Sequence, residues 1–151
     1  MRIVAVIVLA TLATCRSTSG SAGSGTIPVE LGARAFNGGD DIVIEEVASD
    51  RGDLGPGAVV TVRGRYRLGS RERATLYFGT TVTTDVRAPD SPDEQEVVGE
   101  GDGTFELTHR VPGPGYLHLT YYDLGSGRPF GGVYFGRGDG VLREMTWSYT
   151  R

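Results

Sequence analysis

Between residues 59 and 68 the chain alternates without interruption. Val60, Val62, Gly64, Tyr66 and Leu68 fall on one side, and Thr61, Arg63, Arg65 and Arg67 on the other. A period of two is that of a pleated strand with one face in a core and one in water. The same period runs through Ala74, Leu76 and Phe78 towards Val82, and through Phe105, Leu107, His109 and Val111. It recurs in Leu117, Leu119 and Tyr121 within residues 116–122. Shorter apolar runs predict strands at residues 42–47, 96–98, 133–135 and 141–147. Between them lie turn formers: Gly39-Asp40-Asp41, residues 49–57, the loop 85–93 with Pro89 and Pro92, Glu100-Gly101-Asp102-Gly103, and Pro112-Gly113-Pro114-Gly115. No stretch carries a 3.6-residue period, and the glycines are spaced closely enough to break a helix of more than about three turns.

Eight short strands within residues 38–151 predict an all-β chain folded as one antiparallel sandwich. The passage Gly103-Thr104-Phe105-Glu106-Leu107, a Pro/Gly turn, then Gly115-Tyr116-Leu117-His118-Leu119 resembles consecutive strands of bacterial immunoglobulin-like domains. The resemblance implies an immunoglobulin-like β-sandwich of about seven to eight strands. It also implies a structural Tyr116, whose hydroxyl would bond back to loop backbone at the corner between sheets. The segment Phe130-Gly131-Gly132-Val133-Tyr134-Phe135-Gly136, after Tyr121-Tyr122-Asp123, is similar to a tail of uncharacterised exported proteins of planctomycete-type bacteria. That likeness implies a shared β fold and brings no activity with it.

Ahead of the domain the pattern changes. Met1-Arg2 precedes an apolar run over residues 3–13 broken only by Thr11, which has the layout of an export signal and is too short to span a bilayer as a helix. Leu12-Ala13-Thr14-Cys15 resembles the lipobox of bacterial lipoproteins, with Thr14 a departure from the small residues preferred before the cysteine. The resemblance implies a signal peptide over residues 1–14, cleavage before Cys15 and a lipid on its sulfur. Cys15 is the single cysteine of the chain, so an intramolecular disulfide and a CxxC metal or redox motif are excluded. An acylated cysteine with two or more chains anchors firmly where a single chain does not. Residues 16–26, RSTSGSAGSGT, have the composition of a flexible tether, which with residues 27–37 gives a linker over 15–37. Residues 27–37 read equally as a first edge strand. Arg16 after the cysteine, where sorting signals of other bacteria use Asp, leans towards the outer membrane.

Composition adds little chemistry. Hydrophobic residues make up 38% and charged residues 23%, enough for a core and against disorder. The formal charge of −4 argues against a nucleic-acid partner, which calls for a basic footprint. All 15 basic residues are Arg, and Asn37 and Gln95 are the chain's only side-chain amides, a bias that suits a GC-rich genome.

Several groups invite a site. His109 and His118 would face each other in a hairpin closed by residues 112–115, within cross-strand reach. Zinc would need further ligands such as Glu106 or Asp123, and a buried or a surface histidine is the plainer reading. Asp40, Asp41, Asp102, Asp123 and Asp139 lie in turns where calcium collects oxygen ligands, but Asp favours turns for backbone reasons alone. Arg51-Gly52-Asp53 and Arg137-Gly138-Asp139 have the form of a cell-adhesion tripeptide, and Val111-Pro112-Gly113-Pro114-Gly115 that of a single elastin-like turn. Such short matches come cheaply in a chain rich in Gly, Arg and Asp. Arg63, Arg65 and Arg67, followed by Arg71 and Arg73, form a basic stripe able to meet an anionic partner or to pair with Glu on the next strand. Phe130, Tyr134 and Phe135, on glycine-rich backbone, are a candidate contact surface for carbohydrate or protein, and rings that simply fill the sandwich are the plainer reading.

No G-x-S-x-G elbow, HExxH or other nucleophile-and-base spacing is present, and no cofactor or metal site is expected. The expectation is a membrane-tethered, non-catalytic binding or structural module of the cell envelope. It would hold membrane lipid through Cys15, with an envelope protein or polysaccharide as partner. Two alternatives stay open: a small envelope hydrolase using His109 or His118 with a carboxylate, and an inhibitor or accessory subunit of a larger envelope complex.

Overall fold

The computed structural model describes residues 25–82 and 94–138. The signal-like segment with Cys15, most of the Gly/Ser tract, the loop 85–93, Asp139 and the strand expected over 141–147 lie outside the described residues. Among the described residues seven antiparallel strands follow in chain order: β1 (Gly25–Thr26), β2 (Glu30–Ala35), β3 (Asp41–Ser49), β4 (Val59–Val82), β5 (Gln95–Arg110), β6 (Gly115–Tyr122) and β7 (Pro129–Gly136). There is no helix among the described residues. Residues 27–37 follow the edge-strand reading: β2 pairs with β7, and Ile27, 4% exposed, belongs to the buried interior N-terminal of residue 38.

Two pairs of expected short strands are each one long strand. The runs at 59–68 and 74–82 are continuous in β4, and those at 96–98 and 105–110 in β5. No proline interrupts either passage, so the ladder resumes after a register shift between Leu68 and Arg73, opposite Gly99 and Gly101. The shift is the point where both strands bend. Asp40 holds it, its carboxylate accepting from the Gly69 and Ser70 amides at 2.9 Å each and from the Ser70 hydroxyl at 2.6 Å.

The bend divides one curled sheet into two limbs. In the first limb, β3 and residues 101–110 flank residues 59–68 of β4; in the second, residues 73–82 of β4 run between residues 95–99 and β6, with β7 and β2 beyond. The limbs share a core of Val60, Val62, Leu68, Leu76, Phe78, Phe105, Leu107, Leu119, Tyr121 and Phe135. Fully burying side chains of this size stabilises by about 1.5–3 kcal/mol each. The inward face predicted for β4 is the one observed.

A hydroxyl latch joins the limbs. The Tyr121 hydroxyl of β6 is shared between the carbonyl oxygens of Asp41 (3.0 Å) and Arg67 (3.2 Å) in the first limb. This is the work expected of Tyr116, which is only half-buried at the start of β6. The reach favours Tyr121, because it projects inward across the core towards the backbone of β3 and β4.

Candidate functional site

The core contains a chain of three polar side chains. His109 projects inward from the first limb, 2% exposed, and its Nε2 lies 2.8 Å from the Thr80 hydroxyl while its Nδ1 lies 2.6 Å from the Glu94 carboxylate. Thr80 and Glu94 both belong to the second limb. Thr80 continues the inward face of Phe78, and Glu94 is fixed beside the same strand because its carbonyl accepts the Phe78 amide at 2.7 Å. Glu94 is itself only 5% exposed, and the Phe78 ring packs 5.2 Å from the imidazole. With Glu94 ionised, Nδ1 carries the proton that faces it, and Nε2 is left to accept from Thr80. Such an order of hydroxyl, imidazole and carboxylate resembles that of nucleophile, base and orienting acid.

His118 lies elsewhere. The segment 111–114 crosses from one limb to the other instead of closing a hairpin, so β6 pairs with β4 and β7, and His118 stands opposite Gly79 and Tyr134. The facing histidine pair expected from the sequence is therefore not formed: His109 points inward and His118 outward. His118 Nδ1 lies 2.8 Å from the Thr120 hydroxyl, with the Tyr134 and Tyr77 rings at 5.5 and 6.0 Å. Burial pushes its pKa down to about 4, so it is neutral at neutral pH.

Glu96, two residues beyond Glu94, shares its inward side opposite Leu76. Its Oε1 is buried without a hydrogen bond, and burial pushes its pKa above the usual carboxylate range. No three His, Cys, Asp or Glu side chains converge on a common point among the described residues. The turn carboxylates among the described residues have other partners. Asp40 holds the β4 bend, Asp102 accepts from Arg67 at 2.8 Å, Asp123 accepts from the amide and hydroxyl of Ser126 at 2.8 Å each, and Asp41 accepts from the Ile42 amide. Asp53 of the first adhesion-like tripeptide accepts from the Gly55 amide, while Arg51 donates to the Pro56 carbonyl.

The basic stripe lies on the outer face of the first limb, where acidic residues flank it on both sides. Arg63 holds Glu106 bidentately at 2.8 and 3.3 Å and reaches Glu46 at 3.3 Å, Arg65 holds Glu45 at 2.6 Å, and Arg67 holds Asp102. A bulge in β3 between Ile44 and Glu46 turns two successive glutamates to this face, so one strand serves two arginines. Arg65 and Arg67, with Val43 and Asp102, border a depression of about 550 Å³.

The aromatic segment of β7 is not an exposed contact face. Phe130, Tyr134 and Phe135 are 8%, 8% and 1% exposed. Phe130 stacks on Tyr121 at 5.6 Å under the Arg71 guanidinium, and Phe135 meets Phe78 at 5.7 Å in the core. Tyr134, on the opposite face, lies 3.3 Å from the Thr81 hydroxyl. Both faces of β7 are buried, and for that reason the run reads as continuously apolar.

Sequence reasoning singled out His109 but neither Thr80 nor Glu94. Glu94 sits at the end of a polar loop and Thr80 in an ordinary strand pattern, so no local signal marked them. In comparisons with known proteins, no family model, no curated protein and no solved structure matches this chain.

Proposed function

We propose that the chain is an exported lipoprotein, tethered through Cys15 at the cell envelope, whose β domain is a non-catalytic binding or structural module built as an immunoglobulin-like sandwich. The observation that carries the non-catalytic part is the burial of the Thr80–His109–Glu94 chain. Its base and its acid are 2% and 5% exposed, and each bonds across the core from one limb to the other. A general base must come within reach of substrate, whereas a buried, satisfied polar chain holds two layers in register. Membrane lipid is the partner at Cys15, and the leader and Gly/Ser tract support this reading. The curl of the sheet about the β4–β5 bend supports the sandwich.

The test is the intact mass of membrane-fraction protein, wild type against Cys15→Ser. A chain beginning at Cys15 with added acyl mass, lost in the variant, is expected. An unmodified soluble chain would overturn the tether.

A second reading, a small envelope hydrolase, draws on the same geometry, since Thr80 is the least buried member of the chain and its hydroxyl is bonded to His109 Nε2. A fluorophosphonate probe distinguishes the two readings. Covalent labelling at Thr80 that is abolished by His109→Gln establishes the hydrolase, and an unlabelled folded chain favours the module.

A further inference from the structure

The outer face of the second limb carries a different set of groups. Tyr77 stands opposite Gln95, and Thr75 stands opposite both Tyr122 and Val97. With Asp123 and Leu124 of the following turn, Thr75, Tyr77, Gln95 and Tyr122 line a depression of about 440 Å³. Small-ligand clefts span roughly 300–1,000 Å³.

The two rings form a floor and a wall. A Cβ on Gly79 would lie 2.3–2.8 Å from Cε1, Cζ and Oη of Tyr77, so the ring lies down over the Gly79 backbone, in space that any larger residue would fill. Tyr122 meets it edge-on, at 5.8 Å between centroids and 84° between planes. Around the rings stand groups that hydrogen-bond in both senses. Gln95 offers an exposed amide with donor and acceptor, Thr75 a hydroxyl, and Asp123 a carboxylate anchored by Ser126 with Arg71 at 3.5 Å. Asp123 is the one charged residue in this lining, and its charge is matched by Arg71.

We propose that this depression binds one unit of a neutral oligosaccharide. A pyranose presents a patch of C–H groups on its ring face and hydroxyls around its rim. The first suits an aromatic floor and the second suits amide, hydroxyl and carboxylate groups at the border. The matched charge favours a neutral sugar over an anionic one. The inference rests on the binding-module reading and names its ligand class. It moves the contact surface from the buried rings of β7 to the half-buried rings of β4 and β6.

The test titrates the purified full chain with cellohexaose and with chitohexaose by calorimetry at neutral pH. Saturable binding to at least one is expected, weakened roughly tenfold by Tyr77→Ala and by Gln95→Ala, as for a central contact residue. Binding should be unchanged by Arg65→Gln on the other limb. Gln95 is exposed, so its variant remains informative if Tyr77→Ala fails to fold. No saturable binding to either sugar, or binding that survives Gln95→Ala undiminished, overturns the site. That failure is separable from failure of the tethered-module reading, which the mass of Cys15 and the labelling of Thr80 decide independently.

Discussion

His109 and Glu94 meet at 2.6 Å in the interior, one from each limb of the curled sheet, in a place where almost no water reaches either group. The pair is useful only while both members are present. Removing one leaves the other buried without its partner, and a buried polar group left unsatisfied costs about 1–3 kcal/mol, more where it is charged. His109→Leu and Glu94→Leu should each destabilise the chain on this scale in urea denaturation. The double variant, with no polar group left to desolvate, should recover much of the loss. Additive losses would show that the two side chains do not act as a pair.

Tyr121→Phe removes the latch and keeps the ring. The hydroxyl serves two backbone carbonyls of the first limb, so the expected loss is about 1–2 kcal/mol, the size of a buried hydrogen bond removed with its acceptors left in place. Tyr116→Phe should be close to silent in the same denaturation series. Equal losses at the two positions would return the corner role to Tyr116.

His118 makes stability depend on pH. Its folded-state pKa of about 4 lies below the ordinary 6.5, so between these values the unfolded chain takes up a proton that the folded chain refuses. Stability is therefore fully present above about pH 6.5 and falls as pH drops towards 4, by up to roughly 3 kcal/mol from this group. In His118→Gln the slope of stability against pH over this window should be shallower than in wild type. An unchanged slope would place the titration elsewhere.

Glu96 acts in the opposite sense. Burial raises its pKa, so ionisation at neutral pH opposes folding, and stability from this group is greater at acid pH and declines as pH rises through the folded-state value. Glu96→Gln, neutral and of the same shape, should raise the urea midpoint at pH 7 and leave it nearly unchanged at pH 4. A lower midpoint at pH 7 would mean that the carboxylate has a favourable partner.

The local pattern carried much of the architecture. Strict alternation at 59–68 identified a strand with Val60 and Val62 inside and Arg63, Arg65 and Arg67 outside, and the structure has that arrangement. The alternation did not reveal that β4 continues through Gly69 and Ser70. A glycine and a serine between two apolar runs look like a turn, and it takes Asp40, 29 and 30 residues earlier in the chain, to hold them as a bend within one strand. The aromatic segment was legible as strand, and of its two readings, contact surface or filled interior, the structure has the interior one.

What the sequence by itself determined is the all-β content and the inward face of each strand with a clear period. These depend on residues within a few positions of one another. Tertiary structure alone decided which strands are neighbours, that His109 meets Thr80 and Glu94 while His118 does not join it, and that the half-buried aromatic face is built from Tyr77 and Tyr122. The physical reason is that the period of a strand is set along the chain by its own backbone. Pairing and cross-core contact are set by loops and by a bend that bring together residues distant in sequence.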